Sequence, residues 1–262
     1  MNGSIYKTIL DQYDMLNVED VIPVAHTRIK PDIGILLDDN GNFQAAIIIS
    51  KERCSIPCTI DSESRTAGSA PHPIHDNMSY ISNAYPKYKD RHTQYMNQLK
   101  TYVNNVNDEL ALVVYKYLLK NTIHDDIADL LYQIALPEEK AMIVFATKKI
   151  RESISQKWTE YYVKSLPKNG MCGITGELDY IPEKYPKSIR SSADMSRLFI
   201  SNQKNMDSMP VISPGYIASQ KILHALQFMM YEGDGWAYGI LKDNINQLPD
   251  EWKKKVERYY SK

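Results

Sequence analysis

Three side chains that lie close together in the sequence, His72, His75 and Asp76, are of types that bind metals or transfer protons. Pro73 interrupts this segment, so the two histidines do not share one face of a helix as histidines at i and i+4 do. The pattern also matches no motif with a known mechanism. A metal-dependent hydrolase is therefore one hypothesis, and a polar loop that caps a helix is the favoured interpretation.

Other catalytic motifs are missing from the sequence. It contains no Gly-x-Ser-x-Gly elbow, no His-Glu-x-x-His pair and no Walker lysine loop. Cys54 and Cys58 are spaced like the start of a zinc site, but no second pair of close ligands follows, so buried free thiols are expected. We therefore expect no catalytic residue, no metal, no cofactor and no enzymatic activity.

Donors for phosphate groups are concentrated in two loops. The first loop, residues 61–77, carries an arginine, hydroxyls and a glycine, and it ends at an asparagine whose amide can both donate to and accept from a base edge. The second loop, residues 187–204, carries a similar mixture. The candidate DNA-binding residues are Arg65, Thr66, Gly68, Ser69, Asn77, Lys187, Arg190, Ser191, Ser192, Arg197, Asn202 and Gln203.

Tyrosines alternate with basic residues after the first loop, where Tyr80, Tyr85, Tyr88 and Tyr95 are interleaved with Lys87, Lys89 and Arg91. Aromatic rings beside cations can stack on nucleic-acid bases. The helical spacing of these tyrosines is more typical of the edge of a core. Both interpretations stay open.

The composition is that of a globular protein. The chain has 262 residues, 43% of them hydrophobic, with 31 basic and 32 acidic residues and a formal charge of -1. This length suggests one large domain or two small ones, and the balance excludes a binder that attracts nucleic acid by bulk charge. An excess of 19 Tyr over 4 Phe fits a wet interface as well as core edges.

No secretory signal or membrane-spanning stretch is recognisable, and three cysteines do not form a disulfide framework. We therefore expect a soluble cytoplasmic protein with no membrane partner.

Periodicity predicts an α+β fold. Asn40-Gly41 between two apolar runs predicts a β-hairpin with a type I′ turn. The other predicted elements are helices at 5–16, within 90–133, at 153–164, from Pro214 to 230 and at 251–260, and strands at 57–60 (extending the hairpin), 141–145 and 197–201.

The two loops, in this order, resemble a known family. Arg65-Thr-Ala-Gly-Ser-Ala-Pro71, followed by Asp76-Asn77 and Tyr80, resembles an Arg-Thr-Ser-Gly-Ile-x-Pro…Asp-Asn-x-x-Tyr signature. Cys172-Gly-Ile-Thr-Gly-Glu177 is similar to the Cys-x-x-Thr-Gly-Glu stretch of the same family. This family is the large subunit of the type I-C CRISPR surveillance complex, Cascade (the Csd-type Cas8 family).

The resemblance implies a non-catalytic subunit that recognises the motif flanking the target (the PAM) and contacts target DNA in antiviral defence. The implied partners are CRISPR RNA-bound Cascade backbone subunits, target double-stranded DNA and a helicase–nuclease effector. The two loops are expected to meet at the flanking duplex, where Arg65 and Arg190 hold phosphates and Asn77, Asn202 or Gln203 are candidates to read bases.

The sequence also departs from the family. Ser69 replaces an apolar residue, and Ala193-Asp194 replaces a glycine. Family chains are usually longer and end in a helical bundle, so we expect a large-subunit domain over residues 1–230 and a short helical extension over 231–262. The alternative hypothesis is a short homologue that acts as an assembly factor or decoy on the complex without reading DNA.

Overall fold

A computed structural model describes residues 5–16, 21–49, 53–63, 65, 70–150, 153–187, 197–199 and 212–231. The chain divides into two compact units, one of residues 25–162 and one of residues 1–24 with 163–262. Strands and helices occur in both, so the α+β class is confirmed. The predicted division into 1–230 and 231–262 stays a prediction.

The elements of residues 25–162 are β1 (His26–Ile29), β2 (Ile33–Leu37), β3 (Phe43–Ile48), β4 (Cys54–Pro57), α2 (Ile60–Glu63), β5 (Asp76–Asn77), α3 (Met78–Ile81), α4 (Lys89–Asn105), α5 (Glu109–Leu118), α6 (Ile123–Asp126), α7 (Ala128–Gln133), β6 (Met142–Thr147) and α8 (Gln156–Ser165). Helix α8 crosses the boundary between the units. The other unit contains α1 (Ile5–Met15), β7 (Gly170–Met171), β8 (Leu178–Asp179) and α9 (Tyr216–Tyr231).

A mixed four-stranded sheet in the order β3-β2-β6-β5 forms the centre of the larger unit. Strand β2 pairs antiparallel with β3 and parallel with β6, with Ile33 opposite Ile143. Alternate residues of β2 are buried, which is the pattern of a strand with one face on a core. The predicted strand at 141–145 is confirmed as β6, and its parallel partner was not predicted.

The predicted hairpin is confirmed, but its turn is not type I′. The positive φ lies at Gly41, at 76°, whereas Asn40 does not have one. The N–H of Gly41 donates to the carbonyl of Asp38 (3.0 Å), and the Asp38 carboxylate accepts from the backbone N–H of Asn40 and Asn42. A type I turn followed by a left-handed glycine therefore closes the hairpin.

Two further predictions about local structure were wrong. The strand near residue 57 is β4, which lies at Cys54–Pro57 and pairs antiparallel with β1 instead of extending the hairpin. The segment 61–77 is not wholly a loop, because it contains the end of α2 and all of β5. The pairings of β4 with β1 and of β5 with β6 join segments that are distant in the sequence.

The predicted helical stripes of 90–133 are confirmed in α4 and α5, where Leu99, Tyr102, Leu110, Val114 and Tyr117 are buried. The tyrosines contribute more to the core than expected. Fully buried side chains include Tyr80, Tyr95, Tyr102, Tyr117, Tyr185 and Tyr216.

A buried polar network joins α4, α5 and α8. Asp108 caps α5 by accepting from the N–H of Ala111 (3.0 Å). Its other oxygen accepts from the hydroxyls of Tyr102 (2.8 Å) and Ser155 (2.6 Å). Ser155 in turn accepts from the N–H of Trp158, whose ring packs edge-on against Tyr102. The network fixes the start of two helices.

In the other unit, α1 and α9 pack together around Ile5, Ile9, Ile222 and Leu226. Residues 197–199 are not in a strand, contrary to the prediction for 197–201, whose last two residues lie outside the described part. The predicted helix at 251–260 also lies outside it. None of the helices in the described part is long and apolar enough to cross a membrane.

Candidate functional site

A bidentate ion pair closes the first loop. The guanidinium of Arg65 donates from Nη2 to Oδ1 of Asp76 (2.7 Å) and from Nη1 to Oδ2 (2.8 Å). Nη1 also donates to the carbonyl of Ala70 (2.8 Å). The Asp76 side chain is fully buried, and that of Arg65 is 15% exposed. Bidentate arginine–carboxylate pairs are strong, and they fix the relative orientation of the two side chains.

The Asp76 carboxylate organises the backbone around it. Its oxygens also accept from the backbone N–H of His72 (2.7 Å) and of Asn77 (2.7 Å). Burial alone would lower the pKa of Arg65, but the hydrogen bond and charge of Asp76 outweigh it, and the pKa is raised. The Arg65 guanidinium therefore remains charged, and its hydrogen bonds to Asp76 hold the loop together.

The turn before Asp76 is held in an unusual conformation. Ile74 has a φ of 64°, in the left-handed region that costs free energy for a β-branched residue. The hydroxyl of buried Tyr95 donates to the carbonyl of Ile74 (2.7 Å), which fixes that conformation from α4. The Arg65–Asp76 pair and Tyr95 thus secure the turn from two sides.

The two histidines of the turn are buried and neutral. Nδ1 of His75 accepts from the N–H of Phe145 in β6 (3.1 Å), so its proton resides on Nε2. Burial lowers the pKa of His75 to about 3 and that of His72 to about 4. His75 therefore acts as a hydrogen-bond acceptor that attaches the turn to the central sheet.

The described residues of this turn do not form a cluster of metal ligands. Among the described residues, no group of three His, Cys, Asp or Glu side chains is placed to hold a metal ion. Both oxygens of Asp76 are already occupied by Arg65 and backbone N–H groups. His72, His75 and Asp76 thus do not converge as the hydrolase hypothesis required.

Asn77 caps helix α3. Its Oδ1 accepts both from the N–H of Ser79 (3.2 Å) and from the Ser79 hydroxyl (2.6 Å). The side-chain carbonyl is therefore occupied, while no partner for the amide Nδ2 lies within the described chain. Asn77 retains hydrogen-bond donors but has no free acceptor for a bidentate contact with adenine.

Cations and aromatic rings alternate beyond Asn77. The ring of Tyr80 contacts two guanidinium groups, with Arg65 Cζ 4.3 Å and Arg91 Cζ 5.3 Å from its centroid. Arg91 Cζ lies 4.6 Å from the centroid of Tyr88, and Nζ of Lys87 lies 5.2 Å from the same ring. Three cations and two rings therefore alternate in space, in the order Arg65, Tyr80, Arg91, Tyr88 and Lys87.

Two candidate residues of the second loop are described. Nε of Arg197 donates to the carbonyl of Tyr185 (2.9 Å), and the Tyr185 hydroxyl donates to the carbonyl of Pro214. The other described candidate, Lys187, is half-buried.

Cys172 lies before this loop in the sequence. Its Sγ accepts from the N–H of Gly215 (3.1 Å) and of Thr175 (3.4 Å). Cys172 is therefore a structural hydrogen-bond acceptor in this unit.

Residues 5–213 match the family model of the CRISPR-associated protein (Cas_Csd1). The chain belongs to this family. The resemblance drawn from the loop motifs is thereby confirmed, and the chain is a CRISPR-associated protein of the type I-C Cascade system. No curated protein matched the sequence.

Of the candidate residues in this Cas_Csd1 chain, Arg65 and Asn77 lie in one unit, and Lys187 and Arg197 lie in the other. The structure brings Arg65 and Asn77 together around Asp76. That the two loops meet stays a prediction. The candidates outside the described residues are Thr66, Gly68, Ser69, Arg190, Ser191, Ser192, Asn202 and Gln203.

The candidate residues predicted from the sequence of this family member do not include Arg91. For Tyr80 and Tyr95, among the interleaved tyrosines and basic residues, the core interpretation is right. The sequence signal that points to Arg91 is the spacing of two cations around one tyrosine. Lys87 and Arg91, four residues apart, lie on either side of Tyr88 in the sequence, a spacing that lets both cations reach one ring at the start of a helix.

Proposed function

We propose that this chain is a non-catalytic large subunit of an RNA-guided surveillance complex that contacts target DNA and recognises its flanking motif. The observation that carries the proposal is the family match over residues 5–213. Its partners are then the CRISPR RNA-bound backbone subunits, the target duplex and a helicase–nuclease effector.

The physical logic of such complexes supports this role. Base pairing with the guide reads the target sequence, and protein reads only the short flanking element. A subunit held in place by neighbours needs local donors and not a high overall charge. The formal charge of -1 is therefore compatible with DNA contact.

The roles proposed for the first loop follow from its hydrogen bonds. Arg65 positions the loop, because its guanidinium donates hydrogen bonds to the Asp76 carboxylate and to the Ala70 carbonyl. The residues between these anchors, Thr66, Gly68 and Ser69, supply hydroxyl and amide donors for phosphate oxygens. Asn77 contributes amide donors to base acceptors, since its own carbonyl is used in the helix cap.

In the second loop, we assign phosphate contacts to Lys187, Arg190, Ser191, Ser192 and Arg197. Asn202 and Gln203 are the candidates for base edges in this loop, because their amides both donate and accept.

Copurification distinguishes this role from that of a decoy or assembly factor. The full chain is co-expressed with the backbone subunits and guide RNA, and the complex is isolated through a tag on this chain. A true subunit brings the guide RNA and the backbone subunits and binds target duplex. Recovery of a single protein without guide RNA or duplex binding would refute the proposal.

The role of the second loop in DNA binding is tested in the same complex by measuring the affinity for duplex over a range of salt concentrations. Arg190→Ala should reduce the slope of log affinity against log salt by about 0.9, the value for removal of one phosphate contact. Lys168→Ala removes an exposed positive charge elsewhere in the same unit and serves as the control. Equal slopes for Arg190→Ala, the control and the parent would contradict phosphate contact at Arg190.

A further inference from the structure

Arg91 is a cation held in place by two aromatic rings and a hydroxyl group. Its guanidinium contacts the rings of Tyr80 and Tyr88 and donates from Nη1 to the Ser79 hydroxyl (3.2 Å). No acidic side chain pairs with it within the described chain. A guanidinium has five N–H donors, so most of the donors of Arg91 remain available to an external acceptor.

Arg65 and Arg91 differ in this respect although they contact the same ring. The carboxylate of Asp76 neutralises Arg65, whose donors also reach Ala70. Two unneutralised guanidinium groups beside one ring would repel each other. The carboxylate of Asp76 reduces that repulsion. The net positive charge beside the Tyr80 ring therefore lies on Arg91.

The sequence neighbours of Arg91 are basic and exposed. Lys87 and Lys89 are exposed, and Asp90 is the one acidic residue between them and Arg91. Lys87 shares the Tyr88 ring with Arg91. Residues 87–91 thus carry three cations and one carboxylate, a local positive balance that favours an anionic partner.

The position of Arg91 is also fixed in advance. Ser79 accepts from Arg91 while it donates to Asn77, so the cap of α3 and the guanidinium are parts of one hydrogen-bonded chain. A planar guanidinium stacked on aromatic rings suits phosphate oxygens better than a mobile lysine does, because binding then restricts less side-chain freedom.

We propose that Arg91, assisted by Lys87, binds a backbone phosphate of the target duplex, and that the Arg65–Asp76 pair is the internal support of this phosphate site. This inference rests on the proposed function and deepens it. It moves the phosphate contact of this region from Arg65, which the sequence favours, to a residue in the first turn of α4.

The test uses the assembled complex with the full chain and measures affinity for target duplex over a range of salt concentrations. Arg91→Ala should make the salt slope shallower by about 0.9 and weaken binding about eightfold at 0.1 M salt, as expected when one phosphate contact is removed. Arg91→Lys keeps the charge and should preserve the slope. Lys100→Ala, which removes an exposed charge from the same helix, is the matched control and should behave as the parent does.

The contrary outcomes are distinct. If the parent complex binds duplex but Arg91→Ala leaves slope and affinity unchanged, Arg91 is not a phosphate ligand, while the proposed function still holds. If Arg91→Ala instead prevents incorporation of the chain into the complex and Arg91→Lys restores it with no effect on duplex binding, Arg91 pairs with a carboxylate of a neighbouring subunit and the inference is wrong. If the parent complex itself binds no duplex, the proposed function fails.

Discussion

Nη2 of Arg65 lies 2.7 Å from Oδ1 of Asp76, and Nη1 lies 2.8 Å from Oδ2, so the most conspicuous arginine of the first loop is bound within the protein. Both side chains are largely shielded from water. The pair secures the loop, whereas Arg91, which contacts the same Tyr80 ring, has no carboxylate partner among the described residues.

Breaking this pair should destabilise the unit of residues 25–162. Asp76→Ala leaves a largely buried guanidinium without a counter-ion and removes the acceptor for two backbone N–H groups. We expect the free energy of unfolding to fall by about 3–5 kcal/mol, as for other buried pairs from which one partner is removed. Urea unfolding of the parent and the variant measures it.

The double variant separates pairing from other effects. Arg65→Ala/Asp76→Ala should cost less than the sum of the two single substitutions, because neither buried charge is then left alone. Strict additivity would show that the two charges do not stabilise each other.

The buried histidines predict a loss of stability in acid. In the folded chain the pKa values of His72 and His75 are about 4 and about 3, below the ordinary value of 6.5. Below pH 6.5 the unfolded chain therefore binds protons that the folded chain does not, and stability falls as pH decreases. Each histidine contributes about 1.4 kcal/mol per pH unit between pH 6 and pH 4.

His75→Asn isolates one of these contributions. Asparagine places an acceptor near the position of Nδ1, and thus keeps a partner for the Phe145 N–H, but it does not titrate. Between pH 6 and pH 4, the slope of the unfolding free energy against pH should decrease by about 1.4 kcal/mol per pH unit, the value for one proton. The same slope in parent and variant would show that His75 does not resist protonation.

Two glycines with similar φ allow backbone strain to be compared with steric overlap. Gly41 has a φ of 76°, and a Cβ there would lie 2.8 Å from the carbonyl oxygen of Val113. Gly176 has a φ of 73°, and its Cβ would meet nothing within 4 Å. Gly176→Ala should cost about 1 kcal/mol, and Gly41→Ala about 2–4 kcal/mol because overpacking adds to the strain.

Calorimetry of each variant measures these costs as shifts in Tm. Equal shifts would mean that the hairpin turn moves away from α5 without cost.

The network around Asp108 should be important for stability. Asp108→Ala removes the cap of α5 and the acceptor of the Tyr102 and Ser155 hydroxyls, for an expected loss of about 2–5 kcal/mol. Asp125→Ala is the control, since that side chain is 91% exposed and should change stability by less than about 0.5 kcal/mol. Urea unfolding that gave the same midpoint for both variants would contradict a stabilising network.

Local patterns predicted much of this fold. Periodic apolar residues are enough to predict α4, α5 and α1, because a helix buries one face whatever it packs against. Asn40-Gly41 predicted a hairpin but not its turn, since the Asp38 carboxylate stabilises a different geometry. The parallel pairing of β2 with β6 joins residues 110 positions apart, as with Ile33 and Ile143, and no local signal specifies it.

The site was predicted less completely. The motif around Arg65 indicated the right family, but sequence spacing does not reveal that Asp76, eleven residues later, occupies its guanidinium. The excess of tyrosine suggested an interface, whereas many hydroxyls serve the core, such as that of Tyr117, which donates to Asp126. A single sequence does not show which of the two arginines beside Tyr80 is paired with a carboxylate, and among the described residues this pairing separates Arg65 from Arg91.

The most direct test of the proposed role is the affinity of the assembled complex for a guide-matched duplex, measured with and without this chain and with the flanking sequence intact or scrambled. We predict that the complex containing the chain binds the intact flank more tightly than the scrambled one, and that this preference disappears when the chain is omitted. An equal preference for the intact flank in both complexes would contradict the role of this chain in recognising the flanking motif.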